Sequence, residues 1–229
     1  YSPARSQING PQPVTAGMNH SRLRALLDEV ASGGLTPEAG QAALLQYLRQ
    51  TAVEDLGFAR VDHHRSVRQG FPEVVFGQGK TPAQIAAISE RIVAAGHNLL
   101  VTRTTAEAHA AVAVHLPEAS FNALSRTITL RSTELPPGRG TIVVAAAGTA
   151  DLPVAEEAAI SAEIMGNTVD RVYDVGVAGL HRLLAEHARL VAAHVIIVAA
   201  GMEGALPSVI GGLVSVPVIA VPTSIGYGA

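Results

Sequence analysis

The chain has no cysteine and no tryptophan, only 3% aromatic residues and a charged fraction of 15%. The missing cysteines exclude a disulfide framework, thiolate metal sites and any cysteine nucleophile within these 229 residues. Basic residues are scattered rather than clustered, 16 Lys and Arg against 19 Asp and Glu for a net charge of −3. With so few aromatics to stack on bases and no basic stripe for phosphates, a nucleic-acid partner is not expected. Long apolar runs are also missing. Val191–Gly201 is too short and too interrupted to span a bilayer. No charged–apolar–small leader opens the chain, so the expectation is a soluble cytoplasmic protein with no membrane partner. What is present is 48% hydrophobic content, carried mainly by Ala, Val, Leu and Ile. That excludes disorder and is enough for one large or two modest domains.

Residues 1–17 are rich in Pro, Gly, Ser and Gln and run directly into Met18, which reads as an expression remnant or disordered tail before a native start. From Ser21, apolar residues Leu23, Leu26, Leu27 and Val30 recur at helical spacing until Gly33-Gly34. Thr36-Pro37 then opens a second helix to about Arg49, giving an antiparallel helical hairpin. Farther on, Glu73–Phe76, Asn98–Thr102, Ala119–Ser125 and Thr127–Leu130 read as short strands. Helices are expected from Pro82 to about Ala95 and over Thr105–Val114. Pro136-Pro137-Gly138 marks a domain boundary, dividing residues 18–135, a small α+β domain with the hairpin, from residues 136–229.

Beyond Gly140 the pattern is regular. Apolar strands TIVVAAAG, Thr168–Tyr173, His194–Ala200 and Val218–Val221 alternate with helices Leu152–Met165, Gly179–His187 and Glu203–Leu213. Continuous apolar strands between helices predict an α/β fold, a parallel sheet covered on both faces, with ligands bound beyond the carboxyl ends of the strands. Those ends carry Gly148-Thr149-Ala150-Asp151, Asp174-Val175-Gly176, Gly201-Met202-Glu203-Gly204-Ala205 and Thr223-Ser224. Small residues there let backbone amides approach a phosphate, while Asp151, Asp174 and Glu203 supply carboxylates. Gly and Asp after a strand also serve plain turn and cap chemistry, and spacing alone does not separate the roles. His181, at a helix start in one of these loops, is a further acid–base candidate.

Three motifs do not carry the chemistry they suggest. Gly77-Gln-Gly-Lys80-Thr81 follows a strand and opens a helix, yet a P-loop needs a glycine where Val74 stands, so helix capping by Thr81 is the reading. Lys80 could still meet a phosphate as an ordinary cation. No G-x-G-x-x-G precedes an apolar helix, so a standard dinucleotide fold is unsupported. His63-His64 lies in an extended stretch whose adjacent side chains face opposite ways, which favours a surface or interface role over a shared metal.

The stretches YDVGVAGLHRLL (173–184) and AGMEGALPSVIGGLVSVPVIAVPTSIGYGA (200–229) resemble the LarB family of nickel-pincer nucleotide cofactor biosynthesis. The segment DLGFARVDHHRSVRQGFPEVVFGQGKT (55–81) resembles that family's N-terminal domain. The C-terminal part is also similar to the PurE-type AIR carboxylases of purine synthesis. GTADLPVAEEAA (148–159) answers to their G-S-x-S-D signature, and AGMEGALPSVIGG to their A-G-A-G-G-A-A-H-L-P-G loop. The resemblance implies a PurE-like three-layer domain that acts on nicotinic acid adenine dinucleotide with CO2 or bicarbonate. It carboxylates C5 of the pyridinium ring and hydrolyses the phosphoanhydride, giving the 3,5-biscarboxylic acid mononucleotide and AMP. Addition of a nucleophile turns the electron-poor ring into an enamine whose C5 can attack CO2.

Carried over residue by residue, the resemblance makes Asp151, Asp174 and Glu203 the acid–base or Mg2+-coordinating carboxylates, with Asp174 and Glu203 as Mg2+ ligands, while His181 stays a catalytic candidate by its position alone. Gly148, Thr149, Ala150, Gly176, Gly201, Met202, Gly204, Ala205, Thr223 and Ser224 would cradle ring and phosphates, with Arg103 and Arg126 recognising a carboxylate or phosphate. It also implies a homo-oligomer, since AIR carboxylases form octamers. Two departures stand out. The purine enzymes' Ser-Ala-His-Arg loop is replaced by Tyr173-Asp174-Val175-Gly176, which argues against their substrate. The LarB nucleophile is a cysteine beyond the motif at which this sequence stops, so the stretch in hand should bind better than it turns over. Alternatives are an enzyme of a purine-pathway ribonucleotide and a non-catalytic nucleotide-binding regulator. Asp174→Asn separates enzyme from binder.

Overall fold

A computed structural model describes residues 20–49, 53–63 and 65–224. The tail at residues 1–17 and His64 lie outside the described residues. Helices α1 (His20–Ala31) and α2 (Pro37–Arg49) form the expected hairpin. Their approach depends on Gly40, where a Cβ would meet Val30 Cγ2 at 2.6 Å.

The next region carries three elements that periodicity does not reveal. Strands β1 (Val53–Asp55) and β2 (Arg60–Asp62) pair antiparallel, and a short helix α3 (Arg65–Gln69) follows. Their side chains are mostly charged, so neither a two-residue nor a 3.6-residue apolar rhythm shows. Then come β3 (Val75–Phe76), α4 (Pro82–Ala94), β4 (Leu99–Thr102), α5 (Ala106–His115), β5 (Ser120–Asn122) and β6 (Thr127–Leu130). The strands form a four-stranded sheet ordered β3-β4-β6-β5, with β3 and β4 parallel and the other pairs antiparallel. Ile85, Ile88 and Ile92 of α4 pack on Leu99, Val101 and Ile128. Thr81 starts α4 with a full capping box: Gln84 N donates to its hydroxyl at 3.3 Å, and its own N–H donates to Gln84 Oε1 at 2.9 Å.

The second sheet holds β7 (Thr141–Ala146), β8 (Thr168–Val172), β9 (Val195–Ala200) and β10 (Val218–Pro222), all parallel, in the order β10-β9-β7-β8. Helix α6 (Leu152–Ile164) covers one face; α7 (Leu180–Ala185), α8 (His187–Val191) and α9 (Ala205–Gly211) cover the other. The alternation is visible residue by residue. Val143 and Ala145 face Leu183, Leu190, Leu206 and Ile210, while Val144 and Ala146 face Ala155 and Ala159. The chain is therefore an α/β protein with a doubly covered parallel sheet.

The predicted helix Gly179–His187 is in fact a 3-10 turn at Val177–Gly179 followed by α7 and α8, broken at Glu186. The helix predicted from Glu203 begins only at Ala205, because Gly204 has φ 62°, which no right-handed helix contains. Helix α6 also meets the first sheet: Ile164 packs with Phe71 and Leu100, and Arg103 pairs with Glu157 at 2.6 Å. Among the described residues no helix is long and apolar enough to cross a membrane.

Candidate functional site

Following β7, the chain passes out to β8 on one side and then returns to β9 and β10 on the other. The switch point therefore falls between β7 and β9, where adjacent crossovers leave the sheet on opposite faces and open a crevice. A cavity of about 370 Å³ lies there, lined by the loops after β7, β8 and β9.

Backbone bonds stitch these loops together. Val175 N donates to Ala146 O at 3.1 Å, Gly176 N to Ala147 O at 2.8 Å, and Thr223 N to Ala200 O at 3.0 Å. Gly176 sits so close that a Cβ would meet Ala147 O at 2.8 Å, so only glycine fits. Two lining residues, Asp174 (φ 58°) and Met202 (φ 55°), hold left-handed backbone without being glycine. Such conformations cost roughly 1–3 kcal/mol each and persist where surrounding structure enforces them.

The carboxylates differ sharply in situation. Asp151 is buried, and both of its oxygens are occupied: Oδ2 accepts from Gly148 N at 3.0 Å and Oδ1 from the Thr223 hydroxyl at 2.6 Å. It clamps the β7 loop to the end of β10. Asp174 is open to solvent and forms an ion pair with Arg182 Nη1 at 2.5 Å. The arginine lies over Gly179, where a Cβ would meet its Nε at 2.8 Å. Glu203 is exposed at the rim.

Of the candidates read from the sequence, Gly148, Thr149, Ala150, Asp151, Asp174, Gly176, Gly201, Met202, Glu203 and Ala205 line the cavity together. Thr223 lies behind it, holding Asp151, while Gly204 and Ser224 are outside the lining. Other expectations need correction. His181 is exposed on α7 and does not line the cavity; its neighbour Arg182 does. One position along a helix rotates a side chain by about 100°, enough to exchange solvent for the site. Arg103 and Arg126 follow β4 and precede β6 of the other sheet, and they line a separate cavity. Among the described residues no group of three or more Asp, Glu or His side chains could hold a metal. The carboxylate of Asp174 is already matched by a guanidinium whose charge opposes a cation. Asp174 and Glu203 thus do not make a resident Mg2+ site on their own.

Elsewhere, His63 Nε2 lies 3.0 Å from Glu54 Oε2, within hydrogen-bond distance. His97 is buried, and its imidazole is held below the usual histidine range, chiefly by burial and secondarily by the charge of His63.

Residues 53–132 match the LarB/PurE-like N-terminal domain family. The chain is also similar to an uncharacterized protein of Methanocaldococcus jannaschii, 38% identical over 177 residues, covering 74% of this chain and 69% of the relative.

Proposed function

We propose, from the fact that this chain belongs to the LarB/PurE-like family, that the strand-end cavity binds nicotinic acid adenine dinucleotide and that its loops serve C5 carboxylation and phosphoanhydride hydrolysis. The family is carboxylase-related, and a carboxylase-type activity is the coarse reading. The observation that carries the finer one is the Asp174–Arg182 pair on the cavity wall. An arriving phosphate or nicotinate carboxylate competes for the guanidinium as a bidentate partner. Arg182 then turns from Asp174 to the substrate, and the freed carboxylate is left beside the bound ring.

Asp174 is in this reading the base. After a nucleophile has added to the pyridinium ring, C5 of the dihydropyridine attacks CO2. Asp174 takes the C5 proton, and expulsion of the nucleophile restores the aromatic ring. Asp151 positions rather than reacts, since both of its oxygens already accept hydrogen bonds. Glu203, exposed at the rim, orients in this reading the water that opens the phosphoanhydride. No step here runs through Mg2+. The nucleophile implied by the resemblance is a cysteine, and these 229 residues contain none.

A homo-oligomer and a cytoplasmic location belong to the same proposal. Leu180, Leu184 and Val191 are large, exposed apolar side chains on α7 and α8, and β10, which carries the exposed Ile219, is an edge strand among the described residues. Light scattering on a sizing column tests the oligomer.

Calorimetric titration of this chain with nicotinic acid adenine dinucleotide should show binding without AMP release. The same protein carrying the implied cysteine, given bicarbonate and Mg2+, should form AMP and the biscarboxylic mononucleotide by mass spectrometry. Binding absent from the first, or AMP absent from the second, overturns the reading. Turnover of aminoimidazole ribonucleotide instead would support the purine-pathway alternative, against which the exposed position of His181 already speaks.

A further inference from the structure

A second cavity, of about 430 Å³, lies where β3 and β4 hand over to α4 and α5. We propose that it binds a phosphoryl group, presented by a small phosphate ester, at a site separate from the strand-end cavity.

Because β3 and β4 are parallel neighbours, with Val75 opposite Val101, the helices that follow them start from the same edge. The N-termini of α4 and α5 both reach the cavity, lined there by Pro82 and Thr105, and both point partial positive charge into it. The helices are 13 and 10 residues long. Thr81 and Thr105 spend their hydroxyls capping those helices, on Gln84 N and Ala108 N. Thr104 does not. It lines the cavity, is only 2% exposed, and its Oγ1 has no hydrogen-bond partner among the described residues. A buried hydroxyl left unmatched in the protein is matched when an anion oxygen enters.

The charges agree. Lys80 Nζ donates to Phe76 O at 2.7 Å and has no ion pair among the described residues, which leaves two N–H donors for a ligand there. Arg126 has no ion pair among the described residues. Arg103 is balanced by Glu157, and Glu107 is the acid on the rim. The floor is backbone: a Cβ on Gly77 would meet Thr102 O at 2.9 Å and Thr104 Cβ at 3.0 Å, so no side chain fills the space. Arg103 (φ 52°) and Arg126 (φ 54°) are left-handed non-glycine residues. With Asp174 and Met202, every such residue among the described ones lines one of these two cavities. A volume of this size holds a phosphate together with the group that carries it. The glycine-lysine turn at 77–80 thus meets an anion without being a P-loop.

Hydrogen–deuterium exchange with mass spectrometry tests this on the folded protein, using millimolar inorganic phosphate against chloride of equal ionic strength. Peptides spanning residues 77–88 and 103–110 should be protected by phosphate. Peptides spanning 146–152 and 174–182 report the strand-end cavity separately, so either site can fail alone. Lys80→Met with Arg126→Met should weaken the protection at 77–88 about tenfold or more. Thr104→Val, isosteric and lacking only the unmatched hydroxyl, should weaken it while leaving the melting temperature of the unliganded protein unchanged or raised. Absence of phosphate-specific protection at 77–88 and 103–110 overturns the proposal. So does protection that persists in both the double variant and Thr104→Val.

Discussion

Replacing Thr223 with valine removes one oxygen and keeps the shape of the side chain. In the native protein that oxygen donates to Asp151 Oδ1 at 2.6 Å, and both residues are less than 9% exposed. A hydrogen bond to a charged group contributes about 1.5–3 kcal/mol, and a buried acceptor left unmatched adds to the loss. The expected destabilisation is therefore about 2–3 kcal/mol, or a drop of roughly 4–12 °C for a chain of this length. Asp151→Asn is milder. Its amide oxygen can still accept from Gly148 N, and the hydroxyl of Thr223 can reverse to accept from the amide. Thr223→Val in the Asp151→Asn background should then cost only about 1 kcal/mol, since the unmatched group is no longer charged. Urea denaturation of the two single variants and the double variant yields the coupling directly, expected at 1 kcal/mol or more on the scale of contacting residues (about 0.5–3). A coupling below about 0.5 kcal/mol refutes the argument that this pair clamps the β7 loop to β10 through a charged hydrogen bond.

Other expectations follow from single contacts. Arg182→Gln breaks an ion pair whose partners are 40% and 58% exposed, so stability should change by less than about 1 kcal/mol, while dinucleotide affinity by calorimetry should fall at least tenfold; unchanged affinity refutes its substrate role. Ile92→Ala opens a hole under α4 at a residue only 1% exposed and should cost about 2–5 kcal/mol by urea titration. Ala159→Leu overpacks the seam between α6 and β7 and should cost about 1–3 kcal/mol by the same measure. His97 binds its proton less readily folded than unfolded, so stability should fall as pH drops below 6.5, at no more than about 1.4 kcal/mol per pH unit, until the folded imidazole also titrates. Melting curves of His97→Gln should lose that part of the slope.

The parallel sheet was legible because its strands are buried on both faces and its helices return between them. Thr141–Ala146 and Val195–Ala200 have little room for polar residues, and their apolar runs announce it. The strand-end loops were legible for the related reason that a chain leaving such a sheet must turn at once, and small residues allow it. What the one-dimensional pattern hides is reach. Arg182 and His181 are neighbours in sequence, but only one turns into the cavity, because Arg182 folds across Gly179 to Asp174. Arg103 and Arg126 lie far apart in sequence and line the same cavity because Thr104 N bonds Arg126 O at 2.9 Å across the sheet. Likewise β1 and β2 exist through pairing with each other, Glu54 opposite Val61, and no local propensity announces that.

Helix α6 ties the two cavities to one rigid element. It opens next to Asp151, whose carboxylate is fixed by Thr223, and six positions later carries Glu157, held by Arg103 at 2.6 Å. Its neighbour Glu156 and the later Glu163 both grip Arg171 of β8, at 3.0 and 2.6 Å. Glu156 also accepts from the Tyr173 hydroxyl at 2.8 Å, one residue before Asp174. A helix does not bend easily over so few turns, and its alanines 155 and 159 leave no slack against the sheet. Arg103 lines one cavity and Asp151 and Asp174 line the other, so the positions of these charged groups are fixed from a common support. Glu157→Gln should therefore loosen Arg103 in the second cavity without disturbing the buried Asp151–Thr223 bond. Exchange protection lost at residues 103–110 and kept at 146–152 is the expected pattern, and equal loss in both segments refutes the separation.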